Sequence, residues 1–355
     1  MTKFVSRGES ATPGATTDQV SVAGRIVLAH GGGGELTDEL IRGQILPRLG
    51  NQVLNRLADA ATLEVAGARL ALTTDAYVVQ PLVFPGGDIG RLAVCGTVND
   101  LAMVGAEPVA LALSLVLEEG LDEVLLQRVL DSIASTGREA GVDVVAGDTK
   151  VVEHGRAEGM YITATGLGRV LDGVWLGVDH VRAGDAVLIS GTIAEHGLAV
   201  LSRRKGLSFA SDLVSDAAPL AGLANAVARE FKGVRLLRDP TRGGLAGVLA
   251  DLAAAGHSVE IEESAVPLTP TARAAADLLG LDPLTVANEG KFVAVVAREQ
   301  AQRALALCRE HRLGANAAVI GRVTDQQPAM AELITAIGGR RVIQKPYGEQ
   351  LPRIC

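Results

Sequence analysis

Short apolar runs recur along this chain, and most of them border a loop that combines glycine with an acid or an amide. Runs of strand length lie at 25–30, 68–79, 108–117, 142–146, 185–190, 236–238 and 292–297. The loops are Gly31-Gly32-Gly33-Gly34, Pro85-Gly86-Gly87-Asp88, Gly147-Asp148-Thr149-Lys150, Asp239-Pro240-Thr241-Arg242-Gly243-Gly244 and Asn288-Glu289-Gly290-Lys291. Helical patterns fill the intervals: Leu36, Leu40, Ile41 and Ile45; a helix from Ile89 with Asp88 as its N-cap; Leu121 to Ala140; and a helix from Leu245. The alternation predicts strands and helices packed together, with polar groups gathered where strands end and helices begin. At 355 residues two domains are expected, divided in the glycine-bearing stretch between Gly168 and Gly184. That gives domains at 25–175 and 176–343. Residues 1–24, rich in Ser, Thr, Gly and Ala, are expected to be a disordered extension. Pro346, Gly348 and Pro352 make 344–355 a flexible tail that ends on Cys355.

Composition narrows the classes of function. The net charge is −8 and the isoelectric point about 5.4, which argues against nucleic acid as the main partner. No apolar run reaches the roughly 18 residues of a membrane span, and the first two dozen residues lack a signal peptide's apolar block. Cys95, Cys308 and Cys355 lie far apart without C-x-x-C or zinc-like spacing, which fits a reducing cytoplasm. Cys95 and Cys308 fall in apolar helical patterns and are expected to be buried, whereas Cys355 is not. The histidines form neither H-x-x-x-H nor H-E-x-x-H, and no G-x-S-x-G elbow is present.

The carboxylates carry the chemical signal. Asp75 closes Thr73-Thr74-Asp75 inside an apolar run, where a bare carboxylate is too costly and must be solvated, paired or bound to a cation. Asn99-Asp100 interrupts an apolar helix, which suits a satisfied buried site, a cap or a ligand contact. Gly147-Asp148-Thr149-Lys150 closes a strand as a plain turn or as a phosphate-engaging cluster. The four-glycine run is neither a Walker loop nor G-x-G-x-x-G, and serves as a flexible loop or a phosphate cradle. Asp59, Asp75, Asp100, Asp148 and Asp239 together offer hard oxygen ligands of the kind that bridge Mg²⁺ to nucleotide phosphates. In such a site Lys150 would stabilise charge on a transferred phosphoryl group and Glu289 would be a general base. His196 is open between a structural and a chemical role.

Eight of these runs, in order, resemble the HypE family of NiFe-hydrogenase maturation factors. They are His30-Gly31-Gly32-Gly33-Gly34, Thr73-Thr74-Asp75, Phe84-Pro85-Gly86-Gly87-Asp88-Ile89-Gly90, Asn99-Asp100-Leu101-Ala102-Met103, Gly147-Asp148-Thr149-Lys150-Val151-Val152, Asp239-Pro240-Thr241-Arg242-Gly243-Gly244, Asn288-Glu289-Gly290-Lys291 and the terminal Pro352-Arg353-Ile354-Cys355. The resemblance runs from about Ile26 to the end. It implies the two-domain fold of the aminoimidazole-ribonucleotide synthetase superfamily. There an N-terminal α/β domain pairs with its mate in a homodimer to form a β-barrel with ATP at the cleft, beside a C-terminal α+β domain. It also implies an ATP-dependent carbamoyl dehydratase. The Cys355 thiol would receive a carbamoyl group from the carbamoyltransferase HypF, ATP would drive its dehydration to a thiocyanate, and the cyano group would pass to iron on a HypC–HypD complex. By the same resemblance Lys150 and Glu289 match residues implicated in dehydration. Asp59, Asp75 and Asp239 match acidic positions that hold Mg²⁺, and Asn99, Asp100, Gly147, Asp148 and Thr149 would line the nucleotide.

Other readings compete. A selenophosphate synthetase would usually carry cysteine or selenocysteine in its N-terminal glycine loop, but no cysteine precedes Cys95. A purine-pathway synthetase has no use for a terminal Pro-Arg-Ile-Cys. A non-catalytic nucleotide-binding scaffold would not need Lys150, Glu289 and five acids together. The tail raises its own difficulty: the α-carboxylate of Cys355 should lift the thiol above its ordinary pKa of about 8.5. Arg353 or a cation in the cleft would offset this. The tail is expected to dock beside ATP for dehydration and to swing out to meet its partners.

Overall fold

The computed structural model describes residues 25–207, 213–348 and 353–355, so the expected extension at 1–24 lies outside them. Two large sheets organise these residues. The first contains β1 (Ala61–Val65), β2 (Ala68–Tyr77), β3 (Ala106–Glu118), β4 (Asp143–Val152) and β5 (Met160–Val170), in the order β1-β2-β5-β3-β4. All neighbours are antiparallel except β3 and β4, whose parallel pairing requires the crossover helix Glu123–Ala140. The helix Ile89–Met103 packs against β2, β3 and β5 and is buried at almost every position. Asp88 caps it, its carboxylate accepting from the Arg91 amide at 3.0 Å. Strand alternation turns Ala71, Thr73, Tyr77, Ile162 and Ala164 inward and leaves Leu72, Thr74 and Leu167 on the outer face. This sheet is open; among the described residues it closes no barrel.

The second sheet contains β6 (Ala186–Ile189), β7 (Val234–Arg238), β8 (Ser258–Glu262), β9 (Val293–Val296), β10 (Ala318–Thr324), β11 (Ala331–Ile334) and β12 (Arg340–Ile343), in the order β12-β11-β8-β10-β6-β9-β7. β6 and β9 are buried at every position, as expected of unbroken apolar strands covered on both faces. On one side Phe231, Phe292 and Cys308 form a core with the helices Ala221–Glu230 and Ala301–Glu310. On the other, Leu198, Leu245 and Ile261 share a single cluster with Leu92, Val94 and Ile162 of the first sheet's layer. The two sheets therefore meet through continuous apolar packing, and the polar loops collect along that junction.

Two expected elements differ. Residues 25–30 do not form a strand: a 3-10 turn spans Leu28–Gly31, and the Val27 amide donates to the His30 ring at 3.0 Å instead of to a neighbouring strand. The strand expected at 142–146 runs on to Val152, because β3 continues to pair with it in register as far as Glu118 and Val152. Gly147-Asp148-Thr149-Lys150 therefore lies within a strand and not in a turn at its end.

Candidate active site

β2 projects Thr73, Asp75 and Tyr77 from one face, two residues apart. The helix Ile89–Met103 brings Asp100 to that face, β7 leads directly into Asp239, and Asp59 arrives just before β1. Oxygens of Asp59, Asp100 and Asp239 lie within 4.8 Å of one another. The Thr73 hydroxyl sits 2.7 Å from Asp100 Oδ2 and 3.0 Å from the Asp59 carbonyl, while Arg238 Nε donates to Asp59 Oδ1 at 2.8 Å. Burial, with Asp75 and Asp251 adding repulsion and Arg238 opposing, raises the Asp59 carboxyl to about 6. Burial and mutual repulsion hold Asp100 and Asp239 well above the ordinary carboxylate range. So many acids in one sheltered place are stable only when protons or a cation share them, and an all-oxygen donor set suits a hard cation. Asp59 and Asp239 meet as the sequence suggested. The third member is Asp100, with Asp75 near enough for its charge to act on all three.

The loop bearing Glu289 is pinned from several sides. Asn99 Nδ2 donates to the carbonyls of Ala218 (3.1 Å) and Glu289 (3.2 Å), and its Oδ1 accepts from the Leu220 amide at 2.7 Å. Both amide hydrogens of Asn99 are thus spent on main chain, and the side chain holds the Glu289 loop. Asp216 accepts from the amides of Glu289 and Gly290, both at 3.1 Å, and from Lys291 Nζ at 2.9 Å. Burial would raise the Asp216 carboxyl, but Lys291 and these hydrogen bonds outweigh it and leave it below the ordinary range. A side chain at Gly290 would run into the Asp216 carbonyl, which explains the glycine. The Glu289 carboxyl is buried, and its Oε1 has no hydrogen-bond partner among the described residues. Burial, then the charges of Asp239, Asp216 and Asp75, push its pKa well up against the pull of Arg242.

The end of the chain is seated at this junction. Ile354 forms an antiparallel bridge with Val79, the Val78 amide donates to the Cys355 carbonyl at 3.3 Å, and the Gln80 amide donates to the Arg353 carbonyl at 3.1 Å. Arg353 pairs with Glu158. Cys355 acts on Arg242: its negative charge is the main influence raising that guanidinium's pKa, and Asp75, Glu289 and Tyr77 add to it against burial. One guanidinium therefore lies within electrostatic reach of the terminal residue, the candidate base and Asp75. Arg242 donates to the Gly31 carbonyl at 2.9 Å, and the glycine run packs onto it so closely that a Cβ at Gly33, whose φ is +75°, would lie 2.5 Å from Arg242 Cβ. Segment 345–348 is clasped beside the same loop: the Glu35 amide donates to the Pro346 carbonyl at 3.0 Å, and Lys345 Nζ lies 2.7 Å from Asp38 and 2.5 Å from Asp251 on the helices that follow the two loops. Cys95 and Cys308 are buried as expected; burial raises the Cys308 thiol to about 11 and the Cys95 thiol further.

Gly147, Asp148, Thr149 and Lys150 lie exposed on β4, with Lys150 Nζ 2.6 Å from Asp148 Oδ2. Register carries Asp75 to Ala164, Ala164 to Leu113 and Leu113 to Gly147. Three strand spacings of about 4.8 Å put this stretch about 14 Å from β2 at the far edge of the sheet. Within one chain it does not meet the cluster.

Comparison with known proteins decides the family. Residues 57–170 match the AIR synthase related protein N-terminal domain, and residues 182–331 match the AIR synthase related protein C-terminal domain. A carbamoyl dehydratase HypE of Rhizobium leguminosarum bv. viciae is 49% identical over 334 residues, covering 94% of this chain and 95% of that protein. The chain belongs to the HypE carbamoyl dehydratase family. A crystal structure of the HypE–HypF complex superposes with a TM-score of 0.82 at 40% identity, covering 86% of this chain and 99% of that one. A crystal structure of HypE with ATP gives 0.79 at 44% identity, covering 93% and 100%. The two-domain fold of the AIR synthase related proteins is thereby shown for this HypE-family chain, and no helix among the described residues is long and apolar enough to cross a membrane.

Several residues of this HypE-family site escaped sequence reasoning. Arg238 and Arg242 flank Asp239 closely enough that their charges could have been weighed with it. Thr73 shares the Asp75 motif but gave no sign that it would bind Asp100. Asp216 had no local signal, since its partners Glu289, Gly290 and Lys291 are more than 70 residues away.

Proposed function

We propose that this chain dehydrates an S-carbamoyl group on its own Cys355 to a thiocyanate, driven by ATP, to supply the cyanide ligand of a NiFe-hydrogenase iron. The observation that carries the reading is the convergence on Arg242 of a docked terminal cysteine, Asp75 and a buried glutamate with an unpartnered oxygen, beside a carboxylate cluster to which Asp75 also adds its charge. A relative named carbamoyl dehydratase HypE, and crystal structures of HypE with ATP and with HypF, support it.

A thiocarbamate oxygen is a poor leaving group until it is phosphorylated. The carbonyl oxygen attacks the γ-phosphorus, ADP departs, and one N–H proton is lost to give an imidate phosphate. The C–O bond then breaks, the second N–H proton leaves, and phosphate carries the oxygen away from the new C≡N bond. Asp59, Asp100 and Asp239, beside Asp75, would hold Mg²⁺, which supplies neutralisation of phosphate charge when bound. Burial and the charges of Asp239, Asp216 and Asp75 raise the proton affinity of the Glu289 carboxyl. In the loaded site, with those charges offset, Glu289 releases its own proton to solvent and its carboxylate then accepts an N–H proton. Arg242 orients the terminal residue through the attraction between its guanidinium and the charge on Cys355.

Lys150 would polarise the transferring oxygen, and Asp148 and Thr149 would line the nucleotide, from the partner subunit of a homodimer. Exposed Val144, Val145 and Val151 on β4, and exposed Ile26 and Leu28, are the apolar surface that a second copy would cover in closing the barrel. HypF would carbamoylate Cys355 in the cytoplasm and a HypC–HypD complex would receive the cyano group, with 344–355 moving between cleft and partners. The domain division would fall near residue 175.

The test is phosphate release from ATP after carbamoylation. Stoichiometric release that disappears in Cys355→Ala is expected; a chain that binds ATP without turnover is a scaffold.

A further inference from the structure

We propose that His196 is a positioning residue for dehydration, its Nε2–H holding the Ile354 carbonyl and so fixing the seat of the terminal thiol. The inference rests on the reading of Cys355 as the carrier. His196 lies in the helix Glu195–Arg204, is fully buried, and meets the Phe84 ring edge-on at 5.5 Å. Its Nε2 is 2.6 Å from the Ile354 carbonyl and its Nδ1 is 2.8 Å from Ser215 Oγ. A carbonyl only accepts, so Nε2 carries hydrogen. Burial lowers the ring's pKa, with Asp216 and the Ile354 bond opposing, so the ring is neutral and Nδ1 accepts. Ser215 therefore donates to Nδ1 while its oxygen accepts from the Ala217 amide at 3.1 Å. Every polar atom is used, and one tautomer is fixed.

A core histidine commonly binds main chain of its own layer. His196 instead reaches 158 positions along the chain to the residue before the terminus. It does not act alone in this seat. Arg204 Nη2 donates to the Arg353 carbonyl at 2.6 Å and its Nε donates to the Gln80 carbonyl at 2.7 Å. The Ile354 side chain is buried, and Arg353 is held at φ +54°, a left-handed conformation that a non-glycine residue keeps only under restraint. The receptor reads backbone carbonyls at 353 and 354, which sets the direction in which residue 355 leaves toward Arg242.

Hydrogen exchange of the Val78 and Gln80 amides reports docking directly, since their acceptors are the Cys355 and Arg353 carbonyls. Single-turnover dehydration of carbamoylated Cys355, followed by mass spectrometry, reports chemistry. His196→Leu keeps the volume and removes the donor; we expect both amides to exchange, and dehydration to slow, by about tenfold, the worth of one hydrogen bond. Carbamoylation of Cys355 by the carbamoyltransferase and carbamoyl phosphate should be undiminished. His196→Gln, which restores donor and acceptor, should recover both readouts. Unchanged amide protection and dehydration in His196→Leu, or equal impairment in the Leu and Gln variants, would overturn the proposal. If His196→Leu does not fold, Ser215→Ala decides: loosened amides at 78 and 80 support the seat, and unchanged ones refute it. Failure of the wild type to dehydrate would sink the reading of Cys355, while the exchange arm would still judge the seat.

Discussion

Replacing Asp100 by asparagine removes one of three carboxylates whose oxygens lie within 4.8 Å of one another, yet leaves an amide oxygen to accept from Thr73. Two unit charges at that separation repel by about 3.5 kcal/mol at an effective dielectric of about 20. The repulsion has a ceiling, because the carboxyl can always take up a proton. At pH 7 that protonation costs about 4 kcal/mol for a group that ionises near pH 3.8 in the unfolded chain. Asp100→Asn should therefore stabilise the metal-free protein by roughly 2–4 kcal/mol at pH 7, or roughly 3–5 °C in melting temperature. The sign follows from linkage. Asp100's pKa is raised on folding, so the native protein binds more protons than the unfolded chain above pH 3.8, and wild-type stability falls as pH rises through that window. The variant lacks this loss, so its advantage should shrink toward zero near about pH 4 and grow to pH 7. Thermal unfolding in EDTA at several pH values measures it. A variant less stable than wild type at pH 7, or an advantage independent of pH, would refute a repulsive carboxylate cluster.

Three further outcomes follow from the same geometry. Native-state alkylation at mildly alkaline pH should modify Cys355 and spare Cys95 and Cys308, read by peptide mass spectrometry; comparable labelling of either buried thiol contradicts the burial argument. Asn99→Ala should cost about 2–4 kcal/mol in urea unfolding, because it strands the Leu220 amide and the Ala218 and Glu289 carbonyls. Weakened ATP binding with unchanged stability would restore Asn99 to the nucleotide. Lys150→Ala should change stability by less than about 0.5 kcal/mol, since the side chain is exposed, while slowing dehydration at least ~100-fold. Unchanged dehydration would remove Lys150 from the chemistry.

Much of the fold was legible because local signals agreed with tertiary packing. Asp88 caps its helix, and the apolar runs at β6 and β9 are buried as runs of that kind must be. The misses share a cause: they depend on partners distant in sequence. The extension of β4 through Gly147-Asp148-Thr149-Lys150 comes from pairing with β3, which overrides turn propensity. Asp59, Asp100 and Asp239 could be read among five acids bound for a common site, but which of the five meet within one chain depends on the helix docking on β2. Asn99 looked like a ligand residue because polar groups in an apolar helix are costly, and the structure meets that cost with main-chain partners. The prolines and glycine of the tail mark a segment that docks and swings out, but the residues that seat it, Val79 and His196, left no local mark.

The most direct measurement is intact and peptide mass spectrometry of the chain after incubation with HypF, carbamoyl phosphate and ATP. The predicted result is a carbamoyl adduct on Cys355 that then loses the mass of one water. An adduct on Cys95 or Cys308, or a Cys355 adduct that persists unchanged in the presence of ATP, would contradict it.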